Sequence, residues 1–314
     1  MSARALGLLL GFTADRVLGD PQRFHPVAGF GIAAAALEQR VYADSRIRGA
    51  VHTGVLVGAA MALGVVCDRL SSNAAVRVLL TGAATWAVLG GRSLEREALA
   101  VLDRLEASGL SAAREQLTHL VGRDTRALDR SEISRAVIES LAENTSDAVV
   151  APLVWGSVAG VPGLLGYRAA NTLDAMVGHR NARYERFGWS AARLDDLVNL
   201  PASRLTGLLT VALGGDPAGA GRAWRRDAVG HPSPNAGVVE AAFAGSLGLR
   251  LGGSNVYGTG SGRRTEHRTV LGDGRPPVAA DVPRAVRLAR RVALAAVVAV
   301  AAVPASRSYR GGPP

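Results

Sequence analysis

Residues 148–167 read AVVAPLVWGSVAGVPGLLGY, twenty positions without a charge. That is the length a helix needs to cross about 30 Å of hydrocarbon, at about 1.5 Å of rise per residue. Yet Pro152, Pro162 and four glycines interrupt the run. A proline inside a helix removes a backbone donor and crowds the preceding turn, so an unbroken rod is not expected. Arginine-rich stretches flank it, 92–147 before and 168–204 after. Arginines concentrate on the cytoplasmic side of membrane proteins, so a simple span would put one stretch on the wrong side. A broken or re-entrant hairpin keeps both on one side. The fold class that follows is all-α: a polytopic integral membrane helical bundle with broken or re-entrant helices, one domain over 1–314, with a polar helical cytoplasmic insertion at 92–147.

Other runs fill in the bundle. Gly49–Cys67 holds 19 uncharged residues between Arg48 and Asp68, enough for a transmembrane helix. Val78–Gly91 is shorter and spans with Leu70–Val76 added if Arg77 snorkels to the interface. Of the later runs, 205–215, 236–249 (interrupted by Glu240) and 292–306, only the last is fit to cross, and then with tilt. Ala5–Ala14 is apolar but is followed by Asp15, Arg16 and Asp20 without a small-residue cleavage site, so it reads as a retained helix. Residues 258–283 turn polar and rich in Gly and Pro, the pattern of a flexible loop.

Composition narrows the chemistry. Of 314 residues, 48% are hydrophobic and 20% charged, below the soluble norm of roughly 25%. All 36 basic residues are arginine, which excludes a pyridoxal Schiff base, a lysine nucleophile and a Walker-type loop with its lysine. The net charge of +10 sits in loops that bracket apolar runs and forms no nucleic-acid patch, so no nucleic acid is expected. Cys67 alone cannot build a disulfide framework, and the six histidines show no zinc-ligand spacing.

The acids are placed more pointedly. In SEISRAVIESLAENTSDAVV (131–150), Glu139, Glu143 and Asp147 climb one helical face in steps of four. Like charges so spaced repel, and a bridging cation such as hydrated Mg2+ would relieve them; a solvated face shared with Glu132 and Arg135 is the plainer alternative. Position favours a site, because Asn144 and Asp147 abut an apolar run of membrane length, where carboxylates are expensive. Further on, Asn171 and Asp174 are three apart, and Asp195 and Asn199 four apart with Asp196 beside them. Arg168, Arg180, Arg183, Arg186 and Arg193 interleave them, as phosphate holders or as partners of the acids. Near the N-terminus, Asp15, Asp20 and His25 surround a Gly-Asp-Pro turn.

These residues lie in motifs that resemble adenosylcobinamide-phosphate synthase, the CobD/CbiB family of cobalamin biosynthesis. GDPQRFHPV (19–27), ENTSDAVVAPLVW (143–155), NTLDAMVGHRNARYERFGWSAARLDDLVN (171–199), SPNAG (233–237) and AFAGSLGLRLGG (242–253) follow in the family's order over nearly the whole chain. Ala148 stands where glycine is expected, Arg168 and Arg180 where lysine is common, and Ser254–Tyr257 departs from a Pro-Asn-Tyr-Tyr-like run. The resemblance implies a multi-pass cell-membrane ligase whose active site faces the cytoplasm. It would join the carboxylate of cobyric acid to aminopropanol or its phosphate, using ATP and Mg2+. On that reading Glu139, Glu143, Asp147 and Asp196 are the metal residues, and Asp147, Asp174, Asp195 and His25 the catalytic ones. Arg168, Arg193, Asn144, Asn171 and Asp20 bind substrate or phosphate. Membrane lipid surrounds the chain, with a homo-oligomer or a complex with other pathway membrane enzymes left open. A transporter or ion-coupled carrier using intramembrane carboxylates is the alternative; it calls for inverted-repeat hydropathy, which the sequence lacks.

Overall fold

The computed structural model describes residues 1–20, 25–179, 181–257 and 264–309. Arg180, residues 21–24 of the GDPQRFHPV motif and the tip of the expected 258–283 loop lie outside them. In chain order the helices are α1 (Ala3–Leu18), α2 (Pro26–Val41), α3 (Arg46–Leu70), α4 (Ala74–Val88), α5 (Gly91–Ala107), α6 (Leu110–Leu117), α7 (Arg130–Thr145), α8 (Ala151–Val177), α9 (Trp189–Leu213), α10 (Pro217–Asp227) and α11 (Ala236–Leu247). Strands β1 (Leu251–Tyr257) and β2 (Arg264–Leu271) follow, then α12 (Val282–Tyr309). Where a single domain was expected, the chain divides into two compact units. Unit 1 holds Met1–Gly90, Asp147–Ala202 and Ala296–Pro314; unit 2 holds Gly91–Ser146 and Ser203–Ala295.

The fold is that of a helical membrane protein. Three helical stretches, Arg46–Leu70, Ala74–Ala107 and Arg130–Val177, are long and apolar enough to cross a membrane. Along α3, Val51, Val55, Leu63 and Val66 are exposed, a face suited to lipid. Unit 1 packs by small residues, as close-approaching membrane helices do. Gly7 and Gly11 of α1 lie against Thr81 and Thr85 of α4, leaving no room for a Cβ. Gly64 of α3 meets the backbone of Val161 and Pro162, and Gly166 meets Met61.

The stretch Arg130–Val177 is not one rod. Residues 167 and 147 would lie about 30 Å apart along a straight helix. Instead the Tyr167 hydroxyl donates to the Asp147 carbonyl over 3.0 Å. Gly163 lies on the carbonyl of Trp155, and Gly156 on Leu164, so the chain doubles back. The reversal occurs at Gly160, whose φ of 68° and ψ of −148° an L-residue rarely adopts. Pro162 opens the returning arm, where its missing N–H would be unpaired anyway. Arg4 donates to the Ser157 carbonyl over 3.2 Å, satisfying an acceptor at the end of the first arm. The hairpin expected from the prolines and glycines is therefore present, and both its free ends emerge together. Before it, α7 passes through a π turn at Ser146–Val150, which carries Asp147.

Unit 2 contains the exception to the all-α expectation. β2 pairs antiparallel with β1, with Ser254 opposite His267 and Asn255 opposite Glu266. Residues 264–271 thus belong to a strand where a flexible loop was expected. Their polar side chains find partners: Arg268 binds Glu266 at 2.9 Å and the Tyr257 hydroxyl at 2.8 Å, and the Ser254 hydroxyl lies 2.8 Å from His267 Nδ1. The polar helical region 92–147 contains α5, α6 and α7, the last opened by a capping box of Asp129 and Glu132.

Candidate functional site

In unit 1 the base of the hairpin gathers most of the acids singled out by spacing. Asp195 of α9 is the centre. Asn171 Nδ2 donates to its Oδ1 over 3.3 Å, and Asn199 Nδ2 to its Oδ2 over 2.9 Å. Tyr167 donates to Asn199 Oδ1 over 2.8 Å, so hairpin and α9 are locked through one phenol. Trp155 adds a bond to the Val198 carbonyl at 2.8 Å. Burial pushes the Asp195 carboxyl up to about 7, the neighbouring Asp174 charge adds to the rise, and the two asparagine amides oppose it. Arg168 donates to Asn171 Oδ1 at 3.4 Å, its Nε is buried without a hydrogen-bond partner among the described residues, and Asp20 and Asp147 lie within its field. His25 Nδ1 accepts the Val27 N–H at 3.2 Å, which leaves Nε2 to carry the proton, 3.9 Å from Asp20 Oδ2. Asp147, Asp174, Asp195, Asn171, Arg168, Asp20 and His25 therefore all lie in unit 1. Asp196 and Arg193 form a looser pair at 3.8 Å, with Arg193 largely exposed.

The remaining residues of that set belong to unit 2. Glu139 is buried and its oxygens are occupied: Oε2 pairs with Arg123 at 2.5 Å, and Oε1 accepts the Gly252 N–H at 2.8 Å. Arg135 stands 3.8 Å from Oε1. Arginines, where a metal ion was expected, neutralise Glu139; helical spacing showed which acids share a face but not what faces them. Asn144 turns back to its own helix, donating to the Ser140 carbonyl at 3.0 Å. Glu143 keeps accessible surface but has protein packed closely around its carboxyl, with Arg268, Arg123 and Glu139 in its field.

Among the described residues no three His, Cys, Asp or Glu side chains are grouped so as to hold a metal ion by themselves. Mg2+ fits a weaker requirement, because it commonly takes one or two carboxylates and completes its shell with phosphate oxygens and water. The neighbouring Asp174 and Asp195, beside an arginine with an unused donor, meet it.

Comparison with known proteins supplies the lineage. A family model described as CobD/Cbib protein matches residues 8–289. The chain belongs to the CobD/CbiB family. Among curated members, Cobalamin biosynthesis protein CobD of Mycobacterium tuberculosis H37Rv is 54% identical over 290 residues, covering 91% of each chain. The proteins of the same name from Chromobacterium violaceum and Rhodobacter capsulatus are 42% and 39% identical, covering 90% of this chain and 91% of each relative. No solved structure matches. The protein is a cobalamin-biosynthesis protein, and the side chains described in this section, in both units, lie inside the stretch matched to the CobD/CbiB model.

Sequence reasoning missed several members. Tyr167, which ties Asn199 to the hairpin, looked like the last residue of an apolar run. Glu240 registered only as a break in the run 236–249, although a lone acid in a glycine- and alanine-rich helix was the available signal. Arg123, His231, Asn255 and Arg268 carried no spacing that would have joined them to it.

Proposed function

We propose that this CobD/CbiB protein is a membrane ligase that condenses a corrinoid carboxylate, that of cobyric acid, with aminopropanol or its phosphate, using ATP and Mg2+. A carboxylate does not react with an amine at neutral pH until its oxygen is converted to a leaving group. ATP would supply that conversion: the corrinoid carboxylate attacks phosphorus and displaces ADP or pyrophosphate. The amine then attacks the acyl carbon, expelling phosphate or AMP and giving up a proton as the amide forms.

The observation that carries this reading is Asp195, a buried carboxyl held by two amides and set beside Asp174 and Arg168. Bound there, Mg2+ would neutralise phosphate charge and orient the reacting oxygens. Asp174 and Asp195 would hold it, with Asp147 nearby. Arg168, through its free Nε, would bind phosphate oxygens. Asn171 and Asn199 fix the Asp195 rotamer, and Tyr167 fixes Asn199. The Asp20–His25 pair would receive or deliver the proton. We place this site at the cytoplasmic face of a multi-pass chain, because the hairpin returns both arginine-rich flanks to one side.

The test is purified protein in detergent with Mg-ATP, cobyric acid and aminopropanol phosphate, and mass detection of the condensed product. Product from wild type and at least a 100-fold loss in Asp195→Asn are expected. No product under any Mg2+ or substrate condition would end the ligase reading.

A further inference from the structure

A charged cavity opens in unit 1 beside the tip of the hairpin, at the far end of its arms from Asp195. It holds about 330 Å3 and is lined by Ser2, by Ala3 and Arg4 of α1, by Asp68 of α3, and by Arg77 and Thr81 of α4. Ligand pockets run from about 300 to 1,000 Å3. Three contacts assemble it. Arg4 Nη1 donates to the carbonyls of Ser157 and Val158 at 3.2 and 3.4 Å, which pins α1 to the end of the first hairpin arm. Gly64 lies on Pro162, so the last turns of α3 run past the tip, and Gly7 lies on Thr81, which sets α4 beside α1. Gly160 leaves an opening that a side chain would fill: Arg4 Nη2 and Asp68 Oδ2 both stand 3.2 Å from where its Cβ would be.

Much of the polar lining is left over once the fold is made. Arg4 spends Nη1 on the hairpin, while its Nε and Nη2 make no hydrogen bond among the described residues. Arg77 and Asp68 line the same cavity, and neither forms an ion pair among the described residues. Ser2 caps α1 by accepting the Ala5 N–H at 3.2 Å, but the N–H groups of Ala3 and Arg4 precede any carbonyl the helix could offer them. Two guanidinium groups and the positive end of a 16-residue helix thus outweigh one carboxylate. Guanidinium forks and helix N-termini both bind phosphate oxygens.

The surroundings tell a lipid phosphate from a dissolved one. Ala3, Leu6 and Leu10 form one stripe of α1, and Leu6 and Leu10 are exposed. Arg77, Leu80 and Ala84 form the equivalent stripe of α4, with Leu80 and Ala84 half-buried. Apolar stripes therefore lead away from the charged residues along two helices of a membrane protein, as acyl chains lead away from a headgroup. Basic pockets between membrane helices are headgroup sites for this reason. Net charge narrows the class: a phosphodiester on a neutral head carries one negative charge and balances this lining, whereas choline and ethanolamine cancel their own phosphate.

We infer that this cavity binds an anionic phospholipid, with its phosphodiester on Arg4, Arg77 and the first turn of α1 and its acyl chains along Leu6 and Leu10. Asp68 accepts a hydroxyl of a glycerol-type head and, by its charge, holds the site to one net negative charge. The inference does not depend on the amide-forming reading.

The experiment is native mass spectrometry of the full chain in an uncharged detergent. The probes are phosphatidylglycerol, phosphatidylethanolamine, phosphatidylcholine and glycerophosphoglycerol, the soluble headgroup without acyl chains. One saturable phosphatidylglycerol is expected, with both zwitterionic lipids and the soluble headgroup bound more weakly. Arg77→Gln, at an exposed position, should weaken phosphatidylglycerol about 5-fold, the usual effect of one arginine on anionic-lipid binding. Asp68→Asn keeps an acceptor and removes the repelling charge, so it should bind that lipid severalfold more tightly. Arg69→Gln, also exposed but outside the cavity lining, should change nothing. Equal binding of the three lipids, or a loss in Arg69→Gln as large as in Arg77→Gln, would overturn the site. Soluble headgroup bound as tightly as the lipid would overturn the lipid as occupant.

Discussion

Replacing Asp195 by asparagine separates what this carboxylate does for stability from what it does for chemistry. Its pKa is displaced from 3.8 to about 7, chiefly by burial. A raised carboxyl pKa means that the fold keeps the proton after the unfolded chain has released it. Stability therefore falls as pH rises from 3.8 to about 7 and is level above that. Each pH unit in that window removes about 1.4 kcal/mol, for a total of about 4 kcal/mol. An asparagine at 195 is uncharged at every pH, as the protonated acid is, and its NH2 meets one of the two donor amides of Asn171 and Asn199 at a cost that does not change with pH. Asp195→Asn should then gain roughly 2–3 kcal/mol on wild type between pH 5 and pH 9, measured as the difference in thermal midpoint in detergent and EDTA. Asp174→Asn should capture part of the same gain, since the Asp174 charge contributes to the displacement. Adding Mg2+ at pH 8 should stabilise wild type and leave Asp195→Asn unmoved, while condensing activity is lost in the variant. A midpoint difference that does not change with pH, or equal stabilisation of both proteins by Mg2+, would refute the reasoning.

Other outcomes follow from individual contacts. Gly160→Ala puts a Cβ at positive φ and 3.2 Å from the Arg4 guanidinium and the Asp68 carboxylate; a loss of about 2 kcal/mol or more is expected, read from thermal denaturation. Glu139→Gln leaves the buried Arg123 without its counter-charge and should cost about 3–5 kcal/mol, against under 1 kcal/mol for the exposed Glu185→Gln. On a Cys67→Ser background, single cysteines at Asp147 and Asp174 should react with a membrane-impermeant maleimide from the same side, and opposite sides would unseat the shared face of the hairpin ends. Asp227 sits below its ordinary pKa because Arg226 and the Gly272 N–H bind the ionised form, so its contribution is present above 3.8 and disappears as pH falls through the folded value. Asp227→Asn should accordingly destabilise by about 1–2 kcal/mol at pH 7, reduced by the exposure of Arg226, and by much less near pH 3.

Much of unit 1 was legible because its determinants are local. Two prolines and four glycines in twenty apolar residues predict a reversal, and Gly160 supplies it with a dihedral pair other residues avoid. Asn171 with Asp174, and Asp195 with Asn199, were visible as one-turn pairs, and helix geometry alone puts each pair on one face. That the two faces meet was not visible: it depends on Tyr167 reaching Asn199 and on Trp155 reaching Val198, contacts between residues more than thirty apart. The same gap explains Glu139. Its spacing with Glu143 suggested repulsion awaiting a cation, whereas Arg123, sixteen residues upstream, and the Gly252 amide were already placed to satisfy it.

Unit 2 shows why charge in a hydrophobic run repays attention even without a motif. Burying a carboxylate at the centre of α11 is costly unless something answers it. The arginines in that unit answer other acids, at Glu139, Glu266 and Asp281. The two units therefore use carboxylates in opposite ways. Around Asp195 two amide donors favour the ionised acid against its burial, whereas around Glu240 the apolar shell favours the proton.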